Sequence, residues 1–357
     1  MSEKVLMKGN EAIAEAAIRA GCRHYFGYPI TPQTELAAYM AKRMPKIGGV
    51  FLQAESEIAA INMVYGVSSA GKRVMTSSSS PGISLKQEGI SYMAGADLPG
   101  LIVNVQRGGP GLGGIQPSQS DYFQATKGGG HGDYHLIVLT PASVQEMADL
   151  TSLAFDLSDK YRVPAMLLAD GTLGQMMEPV MLPEPQTEFS EKPWALTGTK
   201  MQRKHNIVNS LYLSPEELER TNIERFERYE KIKANEARYE SFMTEDAEIC
   251  VVAFGIAARI SKNAVIAARK EGIKAGLIRP ITVWPFPEKP IAELSHRVKG
   301  FISVELSMGQ MTEDIQLAQH CLRPTMLCSR AGGIIPSPDE VLGAIKKCRE
   351  VINRDRF

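Results

Sequence analysis

Short apolar runs with β-branched centres alternate with segments of helical period, and the alternation occurs twice along the chain. In the first stretch, strands are expected at 24–28, 49–53, 73–77, 101–106, 136–139 and 163–169, and helices at 10–20, 34–44, 55–71, 83–95 and 142–157. Such alternation implies a parallel sheet with helices on both faces. Ligands on sheets of this kind sit at the carboxyl ends of the strands. The loops that matter for function are therefore 28–34, 54–57, 77–82, 106–133 and 169–175.

The pattern breaks after residue 178. Pro179, Pro183, Pro185 and Pro193 interrupt a stretch of little periodicity, which reads as a linker. A charged segment follows, opened by Ser214-Pro215-Glu216-Glu217. Ser214 is the expected N-cap, Pro215 suits the first helical position, and Glu217 completes a capping box. Glu216/Arg220, Glu224/Arg228 and Glu227/Lys231 are i,i+4 pairs with the acid leading. A solvated connecting helix of up to about 30 residues is expected, roughly 45 Å long. Alternation resumes at Ala247, with strands at 249–254, 274–278, 301–305 and 325–328 and helices at 257–271, 288–299, 309–320 and 338–350. The expected division is 1–178, a linker and charged helix at 179–246, and a second α/β unit at 247–357.

Composition removes several classes of function. The 40 Lys and Arg balance 40 Asp and Glu, so no basic excess exists to hold nucleic acid by charge. No apolar run approaches the length of a membrane span. The opening MSEKVLMKGNEAIAEAA turns polar and acidic too early for a secretory core, and a cytoplasmic location is expected. The cysteines Cys22, Cys250, Cys321, Cys328 and Cys348 are scattered and never form Cys-x-x-Cys. A disulfide framework or an iron–sulfur site within this chain is therefore not expected.

Walker A, Gly-x-Ser-x-Gly and His-Glu-x-x-His patterns are absent. Arg107 to Gly114 is glycine-rich and follows a strand. It is either a mobile loop beside a site or a phosphate cradle interrupted by Pro110. His131 and His135 are four apart across Gly132 in a loop, which is not a helical metal-binding pair. Glu57 falls in the first turn after a strand, where the helix dipole favours a carboxylate. It serves either helix-end charge matching or chemistry. Arg107 ends a buried strand at the ligand-binding edge and is either a carboxylate clamp or a surface ion pair. Thr31, held between Ile30 and Pro32, has a fixed hydroxyl.

Gly27-Tyr28-Pro29-Ile30-Thr31-Pro32, Glu55-Ser56-Glu57-Ile58-Ala59-Ala60 and Asn104-Val105-Gln106-Arg107-Gly108-Gly109-Pro110 resemble the alpha subunit of 2-oxoacid:ferredoxin oxidoreductases. The resemblance continues through Arg279 to Pro287 and Val304 to Gln310, so it covers nearly the whole chain. It implies a thiamine diphosphate-binding fold whose first unit is the pyrimidine type, followed by a transketolase C-terminal-like α/β unit. It also implies site residues. Glu57 would hydrogen-bond N1′ of the aminopyrimidine, so that the 4′-imino form takes the proton from C2, and the C2 carbanion then attacks the 2-oxo carbon. Tyr28, Pro29 and Ile30 would line the cofactor, and Thr31 and Arg107 would face the substrate.

Departures from the family pattern matter equally. Ala169-Asp170-Gly171 lacks the first glycine of the family's diphosphate and magnesium motif, and no Asn-Asn follows at the expected distance. The resemblance therefore implies that Mg²⁺, the diphosphate half of the site and the [4Fe-4S] clusters come from other chains: a beta subunit, a gamma subunit and possibly a delta subunit. Coenzyme A would take the acyl group and ferredoxin the electrons. The Ser68 to Gly82 and Gly113 to Asp121 runs look closest to the 3-methyl-2-oxobutanoate branch, with the 2-oxoglutarate branch close behind. A non-catalytic scaffold subunit, and another thiamine enzyme such as an indolepyruvate or sulfonate decarboxylase relative, are the alternatives of a different kind.

Overall fold

The structure is a computed structural model and describes residues 4–354; the outermost residues of the first and last expected units, 1–3 and 355–357, lie outside the described residues. Strand β1 (Val5–Lys8) leads into helix α1 (Gly9–Arg19). Then come β2 (His24–Gly27), α2 (Thr34–Arg43), β3 (Val50–Gln53), α3 (Glu57–Ser69), β4 (Val74–Ser78), α4 (Ser80–Gly95) and β5 (Leu101–Gln106). The unit continues with α5 (Tyr122–Thr126), β6 (Ile137–Leu139), α6 (Val144–Tyr161), β7 (Ala165–Asp170), α7 (Gly171–Gln175) and β8 (Met177–Val180). Helix α8 (Pro215–Glu236) and β9 (Tyr239–Phe242) join this to β10 (Ile249–Ala253), α9 (Gly255–Lys270), β11 (Ala275–Pro280) and β12 (Thr282–Trp284). The chain ends with α10 (Glu288–Ser295), β13 (Gly300–Glu305), α11 (Gln310–Ala318), β14 (Thr325–Ser329) and α12 (Pro338–Arg354).

Among the described residues, two large sheets form. One has the order β12-β6-β7-β5-β4-β2-β3 and the other β14-β13-β10-β11-β9. Strands β2 to β7 pair in parallel, and β4, β5 and β7 are buried along their whole length, as strands covered on both faces must be. In β4 that burial encloses Thr76, Ser77 and Ser78, three hydroxyls inside a central strand.

Several elements differ from expectation. Strand β8 closes an antiparallel pair with β1 at the start of the expected linker, burying Met7 and Val180 against α1 and α6. Helix α4 begins at Ser80 rather than Ile83, since Pro81 suits its first turn. Strands β9 and β12 flank residue 247 but each joins the sheet of the other side: β9 extends the five-stranded sheet and β12 the seven-stranded one. The segment leaving β11 therefore runs from one sheet into the edge of the other, with the amide of Thr140 donating to Ile281 O at 2.8 Å.

Helix α8 is not wholly solvated. Its N-cap Ser214 accepts from the amide of Glu217, as expected, but Arg225, Tyr229, Ile232 and Glu236 are buried. Their spacing forms one face, which docks on the first unit. Arg225 donates to Gly95 O at 3.0 Å, Arg228 pairs with Asp97 at 2.6 Å, and Glu236 accepts from Tyr161 Oη at 2.7 Å. Across the two sheets, the Gln119 amide donates to Phe254 O at 2.9 Å and accepts from Leu306 N at 3.1 Å, and Arg279 makes two bonds to Glu146.

Candidate functional site

The site is built where β3, β2, β4 and β5, neighbours in that order, end together. Each contributes the residue or loop that follows its last hydrogen-bonded position, as the parallel arrangement demands.

After β2, the loop Tyr28 to Gln33 carries a cis Thr31–Pro32 bond. The loop is held from beneath. Ser77 Oγ meets Tyr25 Oη at 2.7 Å and donates to Gln33 Oε1 at 2.6 Å, while Asn10 donates to Pro32 O at 2.8 Å. Tyr28, Pro29 and Thr31 remain exposed above this support, and Ile30 is half-buried. After β3, Ser56 caps α3 through the amide of Ala59 at 3.2 Å, which places Glu57 at the first helical position. Glu57 is 6% exposed, yet among the described residues its carboxylate accepts no hydrogen bond and enters no ion pair. A Cβ added to Gly82 would lie 2.6 Å from Glu57 Oε1 and 2.1 Å from Ser78 Oγ, so α4 closes on this carboxylate at its glycine.

After β4, the buried hydroxyls of Ser78 and Ser79 have no partner. Ser80 donates to Asp121 Oδ2 at 2.6 Å and accepts from the amide of Arg107 at 3.0 Å, and Asn104 also donates to Asp121 Oδ2, at 2.8 Å. Burial pushes the Asp121 carboxyl above its usual range, and the bonds from Ser80 and Asn104 hold it partly back. After β5, Arg107 is buried, with Nη1 donating to Thr31 O at 3.0 Å and Nη2 to Leu112 O at 3.1 Å. Its Nε has no partner, and among the described residues it forms no ion pair. The surface-ion-pair alternative for Arg107 is therefore not what the structure contains.

The structure thus joins Thr31 to Arg107 directly, through the main-chain oxygen of Thr31, and links Arg107 to the Glu57 side of the site through Ser80 and α4. Of the two readings of the glycine-rich stretch, the structure has an exposed loop. Gly109 to Gln116 lie in solvent, closed on themselves by the amide of Gly114 on Gly108 O at 2.8 Å. His131 and His135 do not meet over a common ligand. His131 stands edge-on to Tyr92, while His135 stacks on Trp284 with centroids 4.6 Å apart. Among the described residues, no group of three or more His, Cys, Asp or Glu could hold a metal ion.

Sequence reasoning missed Gln33, Ser80, Asp121 and Lys86. Lys86, on α4, is completely buried and donates to Thr76 Oγ1 at 3.0 Å. Its signal was a lysine between Ile83 and Ile90, at the core spacing of a helix.

The residues 15–247 match the family model "Pyruvate flavodoxin/ferredoxin oxidoreductase, thiamine diP-bdg". The chain belongs to this family. Residues 247–341 match a second model, "Pyruvate:ferredoxin oxidoreductase core domain II", so this is an oxidoreductase subunit of the 2-oxoacid:ferredoxin class. Among its relatives is the ketoisovalerate oxidoreductase subunit VorB of Methanothermobacter marburgensis, 53% identical, with 97% of each chain covered. The 2-oxoglutarate synthase subunit KorA of Methanothermobacter thermautotrophicus is 38% identical over 97% of this chain and 99% of its own. A 2-oxoglutarate:ferredoxin oxidoreductase from Magnetococcus marinus, solved with 2-oxoglutarate, coenzyme A and succinyl-CoA bound, superposes with a TM-score of 0.87 at 29% identity. The match covers 97% of this oxidoreductase subunit and 65% of that chain. A split-gene transketolase, described as an inactive beta4 tetramer, shares the fold at a TM-score of 0.60 and 13% identity. No helix among the described residues is long and apolar enough to cross a membrane.

Proposed function

We propose that this chain supplies the pyrimidine half of a thiamine diphosphate site in a multi-subunit enzyme. The reaction is the oxidative decarboxylation of 3-methyl-2-oxobutanoate with coenzyme A, giving an acyl-CoA, CO₂ and reduced ferredoxin. In this reading residues 1–178 form the pyrimidine-type unit, 179–246 the linker and charged helix, and 247–357 the transketolase C-terminal-like unit. The observation that carries it is the buried Glu57 carboxylate left without any protein partner beside Gly82. A carboxylate on a largely buried residue that accepts no bond from the protein keeps its oxygens open to a ligand.

Those residues suit an aminopyrimidine. Glu57 Oε1 would accept from N1′ and hold the proton there, and the Ser78 and Ser79 hydroxyls beside it have no protein partner. When bound, thiamine diphosphate supplies the electron sink that the departing CO₂ requires. Arg107, with its two Nη–H bonds holding Thr31 and Leu112, still has N–H groups free, including Nε, to receive a carboxylate. Tyr28, Pro29, Ile30 and Thr31 form the wall beside it.

The diphosphate does not fit this chain. Asp170, at the place of the family's magnesium-binding aspartate, accepts from the amides of Thr172 and Leu173 at 3.0 Å and of Ile256 at 3.2 Å. Its carboxylate caps two helices, which supports a beta subunit as the source of Mg²⁺ and diphosphate contacts. The [4Fe-4S] clusters belong in the same reading to gamma or delta subunits. Greater identity to the ketoisovalerate subunit (53%) than to the 2-oxoglutarate subunit (38%) supports the branched-chain substrate.

The test is the purified complex, assayed for coenzyme A-dependent ferredoxin reduction with 3-methyl-2-oxobutanoate, 2-oxoglutarate and pyruvate in turn. The expected order of kcat/KM places the branched-chain acid first. A preference for 2-oxoglutarate would move the subunit to that branch. A complex that binds thiamine diphosphate but oxidises no 2-oxoacid would leave only the scaffold role.

A further inference from the structure

A lysine inside a protein is unusual unless a carboxylate accompanies it. Lys86 is 0% exposed, and among the described residues no carboxylate oxygen lies within 4.0 Å of its ammonium. Its neighbours are Thr76 Oγ1 at 3.0 Å and the main-chain oxygen of Glu57 at 3.5 Å. An ammonium has three N–H donors, so one is left over. Such a group works against folding, and an apolar side chain of equal length would leave the fold as stable or more so. Uncompensated charges of this kind concentrate where function needs them.

The surroundings show which function. Gly82 and Lys86 are i and i+4 on α4 and therefore share one helical face. Gly82 faces the Glu57 carboxylate and Lys86 reaches the Glu57 main chain. On β4, Thr76 and Ser78 are i and i+2 and point the same way, Thr76 to Lys86 and Ser78 to Gly82. Ser77 points to the opposite face, toward Tyr25 and Gln33. One face of α4 and one face of β4 thus close around a single residue. Burial pushes the Lys86 ammonium down to about 8, while the Glu57 charge draws it back up.

We propose that Lys86 is the positioning residue for Glu57: anchored on Thr76, its buried ammonium holds the Glu57 main-chain oxygen, fixes the first turn of α3 and so aims the Glu57 carboxylate beside Gly82. The proposal rests on the reading of Glu57 as the pyrimidine-contacting residue. Lys86 touches neither cofactor nor substrate; it acts through Glu57.

The experiment compares Lys86→Met, Thr76→Val, Thr76→Ser and Glu57→Gln in the assembled complex, reading kcat, KM for the 2-oxoacid, the thiamine diphosphate dissociation constant and the melting temperature. Lys86→Met is expected to lower kcat on the order of ten- to a hundred-fold, since small misplacements of a reacting group cost that much. It should weaken thiamine diphosphate binding, leave KM near the wild-type value and leave the melting temperature equal or higher. Thr76→Val should act in the same direction more weakly, and Thr76→Ser, which keeps the hydroxyl, should restore wild-type behaviour. A Lys86→Met complex with wild-type kcat and cofactor affinity, or one whose loss simply tracks a lower melting temperature, overturns the proposal. If Lys86→Met does not assemble, the Thr76 pair decides it: Val equal to Ser refutes, Val impaired and Ser intact supports. Glu57→Gln separates the two levels. An active Glu57→Gln complex removes the reading of Glu57 itself, whereas an inactive one beside a fully active Lys86→Met removes only the role of Lys86.

Discussion

Glu57 and Glu305 are both buried glutamates beside the amino end of a helix that follows a parallel strand, one in each sheet. Their surroundings are opposite. Glu305 accepts from the hydroxyls of Ser303, Ser307 and Thr312 and from the amides of Met311 and Thr312, all at 2.5 to 3.0 Å. Glu57 accepts nothing from the described residues. A carboxylate surrounded by donors is a structural rivet, because every lone pair it lost to desolvation is replaced. One left open keeps its capacity for a ligand. The difference teaches that burial and helix position do not mark a functional acid; what marks it is the bond count that remains.

That comparison is broken most directly by the same substitution at both sites. Glu57→Gln should cut 2-oxoacid turnover by roughly a hundred-fold or more, the scale of a lost proton-holding group, with little change in melting temperature. Glu305→Gln should do the reverse. Its amide nitrogen would face donors, costing about 3 kcal/mol of stability, while turnover per folded complex survives. If Glu57→Gln instead melts early and turns over normally, Glu57 is the rivet.

Arg107 sharpens the comparison from the cationic side, being buried with its guanidinium bonded, among the described residues, to two carbonyl oxygens. Arg107→Lys should lower kcat/KM for 2-oxoacids roughly ten- to a hundred-fold, since an ammonium lacks the fork that holds a carboxylate by two bonds. One of its two carbonyl contacts is also lost, so stability should fall by about 1 kcal/mol. Unchanged kcat/KM with a lower melting temperature would make Arg107 a strut for the Thr31 loop alone.

Asp170 gives the most gradual effect, spread over a range of pH. Burial raises its carboxyl from the ordinary 3.8 to about 6, against the bonds from the Leu173, Ile256 and Thr172 amides. Between about pH 4 and 6 the folded chain holds a proton that the unfolded chain has released, so stability falls as pH rises through that window and levels off above it. The whole change is of order 2 to 3 kcal/mol at most. Urea unfolding of the full chain between about pH 4 and 7 should show this slope, and Asp170→Asn should flatten it. Equal slopes in both proteins would place the titration elsewhere.

The charged helix shows a limit of sequence reading. Its capping by Ser214 was legible because a cap is local: a side chain two or three residues from the amide it serves. Its docking face was not, because Arg225 and Glu236 look solvated until Gly95, Asp97 and Tyr161 come to meet them from the other unit. Strand β12 escaped for the same reason: three residues carry too little periodicity, and its pairing partner β6 lies in the first unit, more than a hundred residues away.

The sequence by itself determined the alternating α/β class, the parallel order of strand and helix and the family motifs at Tyr28 to Thr31, Glu57 and Arg107. Each of these is a matter of period, local sterics or fixed residue order, all contained within a few neighbouring positions. Only the tertiary structure decided which polar groups are saturated and which stay open. It occupied Asp170 with three amides, filled Glu305 with five donors, buried Lys86 without a carboxylate and left Glu57 bare beside Gly82. Those outcomes depend on donors brought from distant strands and helices to within 3 Å or so, and a hydrogen bond exists only at that distance.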